Sequence, residues 1–247
     1  MISKNAIDLN LDAGEIPAAL IDGSEEALYQ IVSSVNIACG GHAGDEASMK
    51  KSVELAMKYN LNIGAHPSFP DRQNFGRTIM KMYHDELVES LVSQTESLRR
   101  ICNDYGVKLS HLKPHGALYN LAAQDFRTAE AIIDAVRILG DKPLPIMGLA
   151  GSPFIDWIKQ AGFSALEEAF ADRRYEASGM LRSRQYDDAV IKDPDLAAVQ
   201  ALQIVTEGRV TAVTGEVLKI HADTLCVHGD SPNALLTAKA VRNIFRD

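Results

Sequence analysis

Short β-prone runs alternate with amphipathic helical patterns along this chain, and that rhythm restricts it to folds built from repeated βα units around a parallel sheet. Seven runs read as strands: residues 7–10, 35–39, 61–65, 109–113, 144–149, 164–170 and 224–228. Between them, apolar residues recur at helical spacing, as in Met49, Val53 and Met57 or Leu87, Leu91, Leu98, Cys102 and Tyr105, so each helix has one stripe to lay on the sheet. Helix starts are marked at Ser152-Pro153, Asp193-Pro194 and Ser231-Pro232, where a side chain can accept an orphan N–H and proline has none to waste. Asp45 is placed to cap the helix after the second strand, and Gly106, Gly140, Gly162 and Gly208 follow helical runs as left-handed stops. Residues 210–213 and 217–220 flank Thr214-Gly215-Glu216 and predict a hairpin inserted before the last strand. No linker, repeat or low-complexity tract divides the chain, so residues 1–247 are expected to form one domain. The expected architecture is α/β, a TIM-like (β/α) barrel of about seven strands; an open doubly wound sheet has the same local signature.

Charge narrows the partners. With 33 acidic against 25 basic residues the net charge is −8, which argues against nucleic acid or an anionic membrane surface. No run approaches the roughly 18 apolar residues of a membrane span, and the first residues lack the apolar core of a signal peptide, so a cytoplasmic location is expected. Cys39, Cys102 and Cys226 form no C-x-x-C pair and read as reduced core residues.

In parallel α/β folds ligands bind at the carboxyl ends of the strands, and here polar residues concentrate there. Along the first strand the period of two sends Asp8, Asn10 and Asp12 to one side and Leu9 and Leu11 to the other, with Glu15 following. The bland reading of that triplet is a hydrogen-bonded polar plug with Asp12 capping a turn. His42 follows the second strand and His66 ends the third, and the stretch from Pro67 through Pro70 and Gly76 to Arg77 has the make-up of a lid. Two histidines at successive strand ends near a carboxylate make Asp8, His42 and His66 a candidate set for a divalent metal, although no H-x-x-x-H or H-E-x-x-H spacing supports it. After the fourth strand Lys113 and His115 share a face, a cation beside a proton carrier; a lysine paired with an inward carboxylate is the structural alternative. The run from Glu168 to Tyr175 holds Asp172 and Arg173, and the seventh strand ends in His228 and Asp230 just before a helix N-terminus able to hold an anion. Asp230 could equally be only a cap. No P-loop, G-x-G-x-x-G or G-x-S-x-G motif is present, and Gly148 to Ser152 is only a weak phosphate-loop signal.

Six ordered segments, Asp8 to Glu15, Asn36 to Asp45, Gly64 to Arg77, Lys113 to Asn120, Phe170 to Arg173 and Val227 to Asp230, together resemble the LamB/YcsF family, which supplies one component of bacterial 5-oxoprolinases. The resemblance spans nearly the full chain. It implies a seven-stranded barrel of the glycoside hydrolase/deacetylase type and an ATP-dependent opening of 5-oxoproline to L-glutamate, carried out together with 5-oxoprolinase subunits B and C. ATP is then expected mainly on the partners, since this chain lacks a P-loop. Catalytic candidates on this reading are Asp12, Lys113, His115, Asp172, His228 and Asp230, with Asn10, Glu15, Arg77 and Arg173 binding substrate. Asp12 or His115 would activate water or donate to the leaving nitrogen, Lys113 would stabilise an oxyanion, and an arginine would hold the substrate carboxylate. The chain departs from the family pattern at Ile16-Pro17, at Gly41 where an aromatic is common, at Thr78, and at Ser231-Pro232-Asn233. Two rival readings are a metal-dependent deacetylase or carbohydrate hydrolase, and a non-catalytic component that presents substrate.

Overall fold

Leu9 and Leu11 are 2% and 0% exposed although they point away from the barrel axis, because amphipathic helices cover them, and this outward apolar layer is what lets the strands' other face be polar. A computed structural model describes residues 7–140, 144–229 and 233–245. In chain order it runs β1 (Asp8–Ala13), α1 (Pro17–Asp22), α2 (Ser24–Tyr29), β2 (Ser34–Ala38), α3 (Glu46–Lys58), β3 (Asn62–His66) and α4 (His84–Asp104). There follow β4 (His111–Leu112), α5 (Gly116–Ala122), α6 (Phe126–Ile138), β5 (Ile146–Leu149), α7 (Pro153–Gln160), β6 (Ala165–Phe170) and α8 (Pro194–Glu207). The chain closes with β7 (Arg209–Thr211), β8 (Val217–Lys219), β9 (Thr224–Val227) and α9 (Ala234–Ile244).

The strands β1 to β6 and β9 form a closed parallel barrel in that order, with β1 paired to both β2 and β9. All seven expected strands are there, and β7 and β8 pair antiparallel as the expected hairpin outside the barrel. Boundaries shift where pairing decides them: β1 runs on to Ala13 because Asn10 to Ala13 lie opposite Ser34 to Ile37, whereas β4 shrinks to two residues. Asp45 and Asp193 cap α3 and α8 as expected, Asp45 accepting from the Ser48 N–H at 2.8 Å. Ser152 does not cap α7, since its hydroxyl is buried and makes no cap hydrogen bond. Ser231-Pro232 and Asp230 lie outside the described residues. The three cysteines are free and buried, and no helix among the described residues is long and apolar enough to cross a membrane.

Inside the barrel the strands carry a polar ladder. At its amino end Asp8 accepts from Ser33, Ser34 and Thr224 hydroxyls at 2.8, 2.6 and 2.6 Å. One layer up, Asn10 donates to Thr224 Oγ1 and accepts from Asn36 Nδ2, both at 2.8 Å, and Asn36 Oδ1 lies 2.6 Å from His111 Nε2. The register places His111 beside Gly64, and a Cβ on Gly64 would sit 2.1 Å from His111 Nε2, so glycine is the space that the imidazole fills. Burial lowers the His111 pKa to about 4, and its ring is a neutral donor in this ladder.

Replacing Gly64 by alanine should therefore cost about 1–3 kcal/mol of unfolding free energy by urea titration, the usual range for overpacking. An unchanged midpoint would mean that His111 can leave the ladder freely.

Candidate active site

At the carboxyl end of the barrel the ladder ends in charge. Lys113, just past β4, is 2% exposed, and its ammonium lies 2.8 Å from Asp12 Oδ1 on β1 and 2.8 Å from Glu168 Oε1 on β6. Asn10 Oδ1 and Cys226 Sγ are each 3.4 Å away. Burial works to lower the Lys113 pKa, but Asp12, Cys226 and Glu168 outweigh it and hold it well above the ordinary lysine value. For Asp12, burial works upward, and His66 with Lys113 overcomes it to hold the carboxyl well below the usual carboxylate range. Asn36 Nδ2 also donates to Asp12 Oδ1, at 2.9 Å, so this oxygen is saturated while Oδ2 lies 3.3 Å from His66 Nε2. Burial pushes up the pKa of the Tyr119 phenol, and the Glu168 carboxylate beside it adds to the shift.

Beside this pair lies an imidazole cluster. His66 Nδ1 donates to the Lys113 carbonyl at 2.8 Å, and His115 Nε2 donates to the Phe75 carbonyl at 3.0 Å. Their remaining nitrogens, His66 Nε2 and His115 Nδ1, face each other at 3.0 Å, and Glu15 Oε1 lies 3.8 and 3.2 Å from them. His42 reaches the same Glu15 oxygen from behind, at 2.9 Å, with its ring stacked on His115. Burial lowers the His42 pKa to about 3, so it is a neutral ring donating Nε2–H. Against the upward effect of burial, the neighbouring His115 and His42 rings hold Glu15 well below the normal glutamate range. A third unit is Asp172, which accepts from His228 Nδ1 at 2.8 Å and from the His228 backbone N–H at 3.1 Å.

Asp12, Glu15, His66, Lys113, His115 and His228 floor a cavity of about 490 Å³ whose wall carries four arginines, Arg77, Arg173, Arg182 and Arg184. Arg173 is 5% exposed and spends two of its donors on the Ala189 and Arg182 carbonyls; burial and Arg184 pull its pKa down only to about 10, so it stays charged at neutrality. Arg182 is shared with Glu176 and Asp188 at 2.9 and 2.7 Å. Arg77 lies over the Phe75 ring, 4.9 Å from its centroid.

Of the sequence candidates, Asp12, Glu15, His66, Arg77, Lys113, His115, Arg173 and His228 line this cavity. Asp172 sits behind His228 and orients it. Asn10 does not line the cavity: it is 0% exposed and its amide is engaged within the ladder. Asp8 is not a partner of His42 and His66, because four residues of strand put it about 13 Å below Asp12, at the barrel's other end. Lys113 has a carboxylate on each side of its ammonium and so holds Asp12 in place. The stretch from Pro67 to Arg77 is a fixed wall and not a lid: Arg72 donates to the Gly40 and Gly44 carbonyls, and the Gly76 carbonyl accepts from Ala117. The cover comes instead from residues 181–185, in the connection between β6 and α8, which the strand pattern does not single out. Motif reading also passes over Glu168 and His111 as site residues, although both lie on inward positions of expected strands. At Gly41 a Cβ would lie 2.3 Å from Gln94 Oε1, so the Gln94 amide occupies the space a side chain there would need.

The LamB/YcsF family model matches residues 7–247. The chain is 45% identical over 238 residues to the A subunit of 5-oxoprolinase from Chloroflexus aggregans, covering 96% of this chain and 94% of that one. It is equally 45% identical to the corresponding protein of Bordetella pertussis over 237 residues, with 96% and 94% coverage. Among solved structures, the lactam utilization protein from Thermus thermophilus superposes with a TM-score of 0.88 at 40% identity, covering 96% of this chain and 94% of that one.

Removing the ammonium would strand two buried carboxylates, so Lys113→Met should lower the unfolding free energy at pH 7 by about 3–5 kcal/mol, measured by urea titration. In the parent, Asp12, Glu15 and Asp172 have depressed folded pKa values, so they contribute stability above the unfolded value near 4 that is lost as the pH falls through the folded values. The acid branch of the stability curve should be shallower in Lys113→Met.

Proposed function

Because the chain belongs to the LamB/YcsF family, we propose that it is the A subunit of a 5-oxoprolinase and that its cavity opens 5-oxoproline to L-glutamate, coupled to ATP held by partner subunits B and C. The observation that carries this reading is one cavity in which an arginine wall faces a floor of ionised carboxylate and imidazole groups, in a chain whose net charge is −8. A neutral sugar has no need of such a wall. A lactam bearing a carboxylate does, and so does any phosphorylated form of it handed over by a partner, while the glutamate product carries a second carboxylate.

In the reaction a partner transfers the terminal phosphoryl group of ATP to the lactam oxygen, a water oxygen adds to the activated carbon, the C–N bond breaks, and hydrolysis of the resulting acyl phosphate releases L-glutamate and phosphate. Asp12 Oδ2 orients the water and takes its proton, since Oδ1 is held by Lys113 and Asn36. His228 gives a proton to the leaving nitrogen, with Asp172 fixing the orientation of the ring. Arg77 and Arg173 hold the substrate carboxylate. An unstrained five-membered lactam does not open far enough unaided, which is the reason for coupling to ATP.

Glutamate release from 5-oxoproline and ATP should require this chain together with both partners. Asp12→Asn and His228→Gln should lower kcat at least about 10²-fold, His228→Gln with little change in thermal midpoint and Asp12→Asn with a lowered one, because it takes a carboxylate from the buried Lys113 ammonium; Arg77→Lys should raise KM, because a point charge cannot replace the planar fork. Unchanged turnover in Asp12→Asn would leave the chain a presenter of substrate. Calorimetry of ATP against the isolated chain should give no saturable heat, and micromolar binding would move the nucleotide onto it.

A further inference from the structure

Two imidazole nitrogens and a carboxylate oxygen meet at the cavity floor, and with both rings neutral there is no donor among them. His66 and His115 each give one ring N–H to a backbone carbonyl, Lys113 for the first and Phe75 for the second. In the neutral rings this leaves His66 Nε2 and His115 Nδ1 as bare lone pairs, yet they face each other at 3.0 Å, with Glu15 Oε1 at 3.8 and 3.2 Å. Three acceptors this close repel unless a cation lies between them.

We propose that His66 Nε2, His115 Nδ1 and Glu15 Oε1 hold one divalent transition-metal ion of the zinc class, its open positions facing the cavity. Atoms bound to one ion at about 2.0–2.2 Å in tetrahedral array stand about 3.3–3.5 Å apart. The observed separations of 3.0, 3.2 and 3.8 Å bracket that value. The His66 and His115 rings are nearly perpendicular, at 88°, so both in-plane lone pairs can converge on one point. Two histidines and one carboxylate with positions left open is a recurrent set for such ions. Each ligand is also supported from behind in the way metal ligands are: both histidines by a backbone carbonyl, and Glu15 by His42 Nε2–H at 2.9 Å.

His42 itself is excluded from the set. Its ring lies parallel to His115 within 4° at a centroid distance of 3.6 Å, and one ion cannot lie in both ring planes. Its Nδ1 is buried with no partner among the described residues, which places its proton on Nε2 and makes it a donor to Glu15. Charge agrees. Asp12 and Glu168 flank the single ammonium of Lys113 while Glu15 adds a third carboxylate at the imidazole cluster, and a divalent ion brings that group to neutrality. The neighbouring Asp12, Cys226 and His228 set is the weaker candidate, since the Lys113 ammonium lies 3.4 Å from Cys226 Sγ and repels a second cation. The site does not depend on which substrate enters the cavity. If the lactam reading holds, a water on the ion would stand next to Asp12 Oδ2, 3.3 Å from His66 Nε2.

The test is calorimetric titration of the untagged, chelator-stripped full chain with Zn2+, Co2+ and Mn2+, alongside the visible spectrum of the Co2+ form. One saturable ion per chain is expected, with the absorption of four- or five-coordinate Co2+. Glu15→Gln, nearly isosteric, should weaken binding at least about 10-fold, and His42→Phe, which only removes the donor to Glu15, roughly 10–100-fold. His66→Ala should abolish it, with circular dichroism showing the chain folded; if that variant unfolds, Glu15→Gln carries the test. Cys226→Ala and His221→Ala, the latter altering an exposed imidazole, should leave binding unchanged. Absence of saturable binding in the parent would overturn the proposal and leave a proton shared between His66 and His115. Binding insensitive to Glu15→Gln, or lost in Cys226→Ala, would overturn it equally. Neither outcome bears on glutamate release, so the two readings fail separately.

Discussion

The ammonium of Lys113 ties the barrel together at the end that carries the cavity. An ion this deeply buried is tolerated only with opposite charge in contact, and Lys113 takes that charge from two strands, Asp12 on β1 and Glu168 on β6. Its other near neighbours, Asn10 and Cys226, come from β1 and β9. Closing the barrel and assembling the site are therefore one event: β4 must stand across from β1, β6 and β9 for the charges to meet. The same contact keeps Asp12 ionised and leaves one of its oxygens turned to the cavity. A hydrophobic replacement of the whole trio would satisfy packing just as well, so the trio is best understood as the cost of having a carboxylate in a fixed place.

Below that level the interior is organised by hydrogen bonds. Barrels are commonly filled by layers of branched aliphatic side chains, but here the aliphatic residues of β1 and β2 face the helices, while Asp8, Asn10, Asn36, His111 and Thr224 fill the centre. Such a ladder is sensitive to small changes, because each group left without its partner costs on the order of 1–3 kcal/mol. Its members are matched in shape as well as polarity, as the glycine under His111 demonstrates. The polar plug and the reactive centre are thus consecutive layers of one network, and the triplet Asp8, Asn10, Asp12 belongs to both.

The cavity and the rest of the surface carry opposite signs of charge. A chain at −8 places four arginines in one wall, two of them, Arg182 and Arg184, on the segment that covers the mouth. Over long distances a net charge of −8 acts against anions, whereas within a Debye length of about 8 Å the guanidinium groups at the mouth act on them more strongly. An anion presented at close quarters by a docked protein would escape that longer-range repulsion more readily than one arriving from bulk solvent.

Much of this was legible in the sequence, for physical reasons that are local. The βα rhythm, the seven strands, the hairpin and the Asp45 and Asp193 caps follow from side-chain periodicity and backbone geometry over a few residues. The period of two also placed Asp8, Asn10 and Asp12 on one face, and proximity to strand ends singled out His66, Lys113, His115 and His228. What the sequence could not decide was height along the barrel axis and who stands opposite whom. Those depend on register between strands far apart in the chain, such as Asn10 beside Cys226 or Leu149 beside Glu168. Register sent Asp8 to the far end, locked Asn10 inside, joined Glu15 and His115 to His66, and brought in Glu168. The covering segment 181–185 has no periodic signature of its own, because it is held by scattered contacts such as the Arg173–Val190 and Tyr175–Leu181 bridges. Sequence alone determined which residues face inward, since that is a property of each strand; the tertiary structure decided which of them meet, since that is a property of the closed barrel.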